Sequence, residues 1–467
     1  MKQELSAKVK MPQNGGMSLF AELRMRPAAE PAMSGRFVAK GWDASRTMRL
    51  ALSGGTLFVL LVGANLATPL YPGLSQRLGL GSLGISIAFA SYVVSLIAVL
   101  LVAGHWSDHI GRRAALTLAV VLGIAGVTVF AMAGSLLALC VGRALHGAAV
   151  ALATGASSAA LRELLPNRVG WASRFTLLSS SGGVALGPLV GGALAVGPVP
   201  TEVPFLACGV VLALLLAPLV LIKARPAIRP AVDTSRSRLL APRGFGVGQR
   251  SARGAFWRAA AVGFLSFAVF GYFLSLAPGY LAATLGITSL PAIGALAGLV
   301  LAASAAVQLA GRGSAQRSPR TAGRIVRIGL ALLGAGTLGA GWAASSGHAV
   351  LLVVAIVAAG VGQGMAFREL FDGLATAVAP ERHAQAVSGL YVVTYLGSAV
   401  PVIGVGALAG AVGLPTASAV FTAGCAVAAG ILAVFGAPRR ATRAAGPVPE
   451  SARTRLSSPC GRRRDPS

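Results

Sequence analysis

The chain has 467 residues, 55% of them apolar and only 11% charged, with a mean hydropathy of +0.75. A soluble globular chain carries about 25% charged residues, so a water-soluble enzyme is excluded. The 40 Lys+Arg against 13 Asp+Glu give a formal net charge of +27, but these cations sit in tails and at the ends of apolar segments, which marks membrane topology and not a nucleic-acid surface.

Residues 1–48 are polar and basic and lack the apolar core of a cleavable signal peptide. They are expected to form a disordered cytoplasmic tail. Twelve apolar stretches follow, each of a length that crosses about 30 Å of hydrocarbon as helix. They run 49–72, 83–106, 113–134, 136–160, 171–196, 203–223, 257–284, 289–311, 323–345, 347–370, 384–410 and 413–436. The fold expected is therefore an all-α membrane protein with twelve transmembrane helices.

The charges sort by side. Arg112 and Arg113, Arg162 and Arg168, the run from Lys223 to Arg258, the arginines from Arg312 to Arg327, and Arg382 all fall in alternate connections. The other connections hold little beyond Arg77 and Glu202. That asymmetry places both termini of a multi-pass chain in the cytoplasm; the membrane expected is the inner, cytoplasmic one, with anionic headgroups meeting the basic loops.

The chain also repeats. Pro69-Leu-Tyr71 parallels Pro278-Gly-Tyr280, Pro166-Asn-Arg168 parallels Pro380-Glu-Arg382, and Pro188 parallels Pro401, at offsets of 209, 214 and 213 residues. The reading is two parallel six-helix halves, 49–223 and 257–437, joined by a basic cytoplasmic linker, 224–256, with a second basic tail at 438–467. Two such halves facing a midplane cavity make a transporter architecture.

Three motifs carry more. Between the second and third spans lies Gly104-His-Trp-Ser-Asp108-His-Ile-Gly111-Arg112-Arg113. Glycines allow a tight turn and close helix approach, Asp108 can pair with an arginine or a helix N-terminus, and the arginines sit at headgroup level. In the fourth span is Leu139-Cys-Val-Gly-Arg143-Ala-Leu-His146-Gly147. A charge there costs at least ~2.5 kcal/mol and needs a cavity or a partner. Arg143 is either a structural arginine bonded to carbonyls or a coupling residue, and His146, on the same face, is either a packed neutral imidazole or a proton carrier. In the fifth span, Gly183-Val-Ala-Leu-Gly187-Pro188-Leu-Val-Gly191-Gly192 has the small-residue spacing that lets backbones approach, with a proline that bends the helix.

Together these stretches resemble the major facilitator superfamily over residues 48–437. Gly104, Asp108, Gly111, Arg112 and Arg113 match its signature loop, which the resemblance assigns as a cytoplasmic latch of the outward-facing state. The second copy, Gly311 to Arg320, lacks the aspartate. Arg143 and His146 fall on a motif that the resemblance ties to proton coupling, with histidine in place of glutamine. Gly183, Gly187, Pro188, Gly191 and Gly192 look like the mark of the drug and metabolite efflux, or antiporter, branch. By that resemblance the protein is a monomeric secondary active transporter that exports a small organic molecule in exchange for protons. An importer or uniporter on the same fold, and a non-transporting membrane sensor or anchor, are the alternatives.

The sequence departs from that pattern in one way. All its acids lie in tails, loops or helix ends, and the first span offers Asn65 where a carboxylate is common in the resembling exporters. A dicationic substrate is therefore disfavoured. The cavity lining expected is Asn65, Arg143, His146, Phe273, Gln363, Tyr391 and Tyr395. No Walker loop marks an ATP-driven pump. Cys140, Cys208, Cys425 and Cys460 show no metal or redox spacing, so no metal and no cofactor is expected.

Overall fold

The computed structural model describes residues 42–104, 106–195, 197, 199–223, 250–311, 318–378 and 383–435. The linker at 224–249, most of both basic tails, the second loop copy at 312–317 and residues 380–382 lie outside them. The described elements are α1 (Arg46–Asn65), a 3-10 turn (Thr68–Leu70), α2 (Tyr71–Leu78), α3 (Ser82–Ala103), α4 (Trp106–Ile110), α5 (Arg112–Ala131), α6 (Leu136–Leu164), α7 (Val169–Leu194), α8 (Val203–Leu221), α9 (Arg250–Ser275), α10 (Ala277–Leu285), α11 (Leu290–Ala310), α12 (Pro319–Ser345), α13 (Ala349–Ala377), α14 (His383–Val412) and α15 (Leu414–Phe435). Among them are twelve helices long and apolar enough to cross a bilayer.

Local chemistry sets the boundaries. Ser45, Ser135, Ser289 and Ser318 each accept a backbone N–H three residues on and so start α1, α6, α11 and α12. The first and seventh spans are not single helices. Pro69 and Pro278 cannot donate to the helical ladder, and the chain breaks after Asn65 and after Ser275 before it resumes as α2 and α10. Each resumed helix ends on a glycine in the left-handed region, Gly79 at φ 62° and Gly286 at φ 63°. The Pro-x-Tyr repeat seen in the sequence is this paired break.

Helices α1, α3, α5, α6, α7 and α8 pack among themselves, as do α9 and α11 to α15. The two groups meet along α7 with α11 and α3 with α14. The closest approaches are made by glycines. A Cβ added at Gly294 would lie 2.1 Å from the Pro188 carbonyl oxygen, at Gly298 2.5 Å from that of Ala185, at Gly192 2.3 Å from that of Leu290, and at Gly406 2.2 Å from Ser86 Oγ. Thr68 Oγ1 donates to the Leu274 carbonyl at 3.0 Å, joining the two helix breaks. All of these lie toward the end of the bundle opposite the basic one. There Arg77 also ties two loops, donating to Thr201 Oγ1 at 2.9 Å and to the Ala133 carbonyl at 3.0 Å.

At the basic end the structure orders residues that the sequence placed in the tail. Trp42 forms a parallel bridge with Ile222, with Trp42 N donating to Leu221 at 2.8 Å and Lys223 N to Trp42 at 2.9 Å. Buried Arg49 secures this junction. Its Nε donates to the Ala44 carbonyl at 3.1 Å and its Nη1 to that of Lys223 at 2.9 Å, with Asp43 at 3.5 Å. Replacing Arg49 with alanine leaves two backbone acceptors without that donor and is expected to lower stability by about 2–3 kcal/mol, read as an earlier unfolding midpoint in detergent. Arg49→Lys should recover less than half, because one ammonium cannot reproduce the guanidinium fork.

Candidate functional site

Arg143 and His146 project from α6, which small residues hold close to its neighbours. A Cβ at Gly142 would lie 2.8 Å from the Phe130 amide on α5, and one at Gly147 2.3 Å from the Tyr92 carbonyl on α3. Both side chains are buried, 4% and 3% exposed, and both reach α1. Arg143 Nη1 donates to the Ala64 carbonyl, and its guanidinium lies over the rings of Tyr92, at 4.6 Å, and Phe89, at 5.8 Å. The Ala64 carbonyl is in the last turn of α1, where the helix leaves acceptors unmatched and carries partial negative charge. A cation fits there, and the ring faces add to it. His146 Nε2 is 2.7 Å from the Leu60 carbonyl, which a neutral ring satisfies when Nε2 carries the proton. Its Cε1 would lie 2.9 Å from a Cβ at Gly63. Each of the two side chains is thus engaged by a carbonyl of α1.

The glycine motif of α7 has two faces, as the 3.6-residue period requires. Gly183, Gly187 and Gly191 lie against α1, where added Cβ atoms would sit 2.6 Å from the Phe58 carbonyl oxygen, 2.6 Å from Asn65 Cβ and 2.3 Å from the Leu66 carbonyl oxygen. Pro188 and Gly192 lie against α11 in the other half. Asn65 is wedged beside Gly187, and its Nδ2 donates to the Leu61 carbonyl of its own helix at 2.8 Å.

The loop between α3 and α5 holds a charge cluster. Arg112 donates to Glu163 Oε1 from Nε at 3.0 Å and from Nη2 at 2.7 Å, and its Nη1 reaches Ser107 Oγ at 2.6 Å and Asp108 Oδ1 at 2.5 Å. Gly111 sits at φ 87°, where a side chain would be strained. Gly104 begins the turn into α4. Arg113 does something else: its Nη1 donates to the Ile222 carbonyl at 2.9 Å, which fixes the exit of α8. All the partners of Arg112 come from the first half.

In the second half, Gln363 and Phe273 face inward within their own bundle. Gln363 Oε1 accepts from Ser304 Oγ on α11, which in turn accepts from Gln308 Nε2 at 2.9 Å. Phe273 meets Tyr272 edge-on at 5.8 Å and borders a small gap with Tyr280 and Thr337. Tyr391 and Tyr395 belong instead to a row of half-buried rings. Tyr395 meets Phe267 edge-on at 5.3 Å and Tyr391 at 6.1 Å; Tyr391 meets Phe371 at 6.3 Å; Phe371 meets Phe367 at 6.0 Å; and Phe367 returns to Phe267 at 6.3 Å. Tyr395 also lies near Tyr92 of α3, across the boundary between the halves. Phe267, Phe367, Phe371 and Tyr92 were not among the sequence candidates. Two of the pairs, Phe367 with Phe371 and Tyr391 with Tyr395, are spaced i,i+4, which is a signal for a shared face.

One acid departs from the sequence reading. Glu369 is buried, at 6% exposure, and α13 continues for about 12 Å beyond it at 1.5 Å per residue. Its neighbour Arg368 caps the end of α11, donating to the Gln308 carbonyl at 3.1 Å and to the Gly311 carbonyl at 2.6 Å. Arg368 also pairs with Asp372 on its own helix, Nε to Oδ2 at 3.8 Å.

The comparisons agree with this architecture. The model of the Major Facilitator Superfamily matches residues 54–400. A comparison with curated proteins finds no match. The structure is similar to that of a bacterial homologue of the human lysosomal transporter Spinster in an inward-facing, unoccupied conformation, with a TM-score of 0.66 at 16% identity, covering 84% of this chain and 95% of that one. It is also similar to a point mutant of the nucleoside transporter NupG, with a TM-score of 0.66 at 13% identity, covering 84% and 99%. A third similar structure is the human organic anion transporter MFSD10, with a TM-score of 0.59 at 18% identity, covering 83% and 99%. At these identities the likeness is one of fold.

Proposed function

Given that the chain belongs to the Major Facilitator Superfamily, we propose that it is a secondary active transporter of the inner membrane that exports a small organic molecule in exchange for protons, by alternating access. The observation that carries the alternating-access part is an asymmetry along the bundle. The halves are sealed by backbone-close glycine contacts at one end, while the aromatic row nearer the middle stays half exposed. With the basic end in the cytoplasm, where its cations meet anionic headgroups, this is an inward-open arrangement. Rocking of the halves about the row would then open it outward. Each monomer carries the whole site.

Export rests on the resemblance of the α7 motif to that of the antiporter branch. It is tested in a host without its own efflux pumps by following accumulation of a broad compound panel with and without an uncoupler. Lower accumulation, abolished by uncoupler, is the expected result; higher accumulation overturns the direction. A second reading, downhill transport without proton exchange, is favoured by one observation: Arg143 and His146 are both engaged by α1 carbonyls. The two readings separate on His146→Gln in proteoliposomes. Proton exchange through His146 predicts loss of pH-gradient-driven transport with counterflow retained. Full gradient-driven transport by the variant removes His146 from coupling.

A further inference from the structure

The aromatic row also constrains what the site takes, on the premise that the protein is a transporter. Five rings from three helices, Phe267 of α9, Phe367 and Phe371 of α13, and Tyr391 and Tyr395 of α14, form one closed circuit with centroids 5.3–6.3 Å apart. All five are only partly buried, so each keeps some ring surface for a ligand. Such spacing is that of offset or edge-on aromatic packing, and a further flat ring can join it on the same terms.

Charge narrows the class. Glu369 stands about 200° around α13 from Phe367 at 100° per residue, so it faces away from the row. Asp372 is paired with Arg368 at 3.8 Å. The tyrosine next to the row in the first half, Tyr92, already has a cation on its ring, the Arg143 guanidinium at 4.6 Å. Among the described residues an organic cation would therefore meet positive charge and no facing carboxylate. An anion fares no better, because Arg143 is buried against that ring with its Nη1 bonded to Ala64, and a desolvated anion needs direct donors. The tyrosine hydroxyls of Tyr391 and Tyr395 can serve a neutral polar substituent.

We propose that the row formed by Phe267, Phe367, Phe371, Tyr391 and Tyr395 is the binding site for an uncharged, planar aromatic compound.

The test uses three probes on one ring system: methoxynaphthalene, naphthalenesulfonate and naphthyltrimethylammonium. Each is equilibrated by dialysis with the full chain in nanodiscs, with empty nanodiscs as baseline. The uncharged probe is expected to bind tightest, and Phe267→Leu and Phe367→Leu, which keep apolar bulk without the ring, to weaken it by about 5- to 10-fold. Tyr395→Phe, which keeps the ring, should stay within about twofold. Tightest binding of the ammonium or the sulfonate overturns the charge assignment. Leucine variants that bind like the parent overturn the site. The compound-panel assay on the same protein keeps this apart from the transport reading: transport without binding of any naphthalene probe overturns the aromatic class alone, whereas absence of transport strikes the reading beneath it.

Discussion

Gly294→Leu is expected to hold open the end of the bundle opposite the basic one, the outer end in the proposed orientation. A Cβ at this position would sit 2.1 Å from the Pro188 carbonyl oxygen and 2.8 Å from its carbon. Both are backbone atoms, so neither can turn aside. Helices α7 and α11 would have to part. Overpacking of this kind costs about 1–3 kcal/mol, which moves a two-state balance by roughly 5- to 150-fold. The clash exists only where the two halves meet, so each half should keep its own packing. The readout is the distance between spin labels at Leu83 and Val412, exposed positions near the outer ends of α3 and α14. It should lengthen in Gly294→Leu while the unfolding midpoint changes little. Gly191→Leu is the contrast. Its clash is with the Leu66 carbonyl of α1, 2.3 Å away, inside the first half, and it should lower the unfolding midpoint sharply. An unchanged label distance in Gly294→Leu would mean that the glycine contacts do not set the outer closure.

Gly191 and its neighbour Gly192 lie in one stretch and do different work, the first against Leu66 and the second against Leu290, which shows what the sequence can and cannot convey. The spacing of Gly183, Gly187 and Gly191 already indicates a face built for close approach. It does not name the partner, and only the fold shows that this face meets α1 while Pro188 and Gly192 meet α11. The twelve spans, the repeat of Pro69 and Pro278, and the charge asymmetry were legible because each depends on the local chain, whereas the helix breaks at those prolines emerged only in the fold. The lining was less so. Depth along a helix follows from residue count, which put Phe273 and Gln363 near the middle. Direction around the helix does not, because helices such as α3 are apolar on nearly all sides and offer no polar face from which to orient them. Phe273 and Gln363 turn into their own half, whereas Phe267, about one and two-thirds turns earlier on α9, joins the row. The contacts of Arg143 were also out of reach, since Ala64 becomes an open acceptor only because α1 stops at Asn65.

The second large effect is expected at the basic end, and it separates the roles of two acids that share one arginine. Glu163 has 11% of its side chain exposed and Asp108 has 50%. Both accept from Arg112. An exposed ion pair contributes about 0–1 kcal/mol, while stranding one member of a buried pair costs about 3–5 kcal/mol. The Arg112–Glu163 pair is nearer the second case. Arg112→Ala is therefore expected to destabilise the protein by about 2–4 kcal/mol, and a double-mutant cycle with Glu163→Gln should recover about 2 kcal/mol of coupling. Asp108→Asn should cost less than about 1 kcal/mol. If Asp108 serves as the latch of the outward-facing state, that substitution acts on conformation instead of stability. The Leu83–Val412 labels should then show a larger share of the short, outer-closed distance at an unchanged unfolding midpoint. A fall in midpoint for Asp108→Asn equal to that for Arg112→Ala, with no change in label distance, would make the whole cluster a structural clamp on the first half, and the latch assignment would be withdrawn.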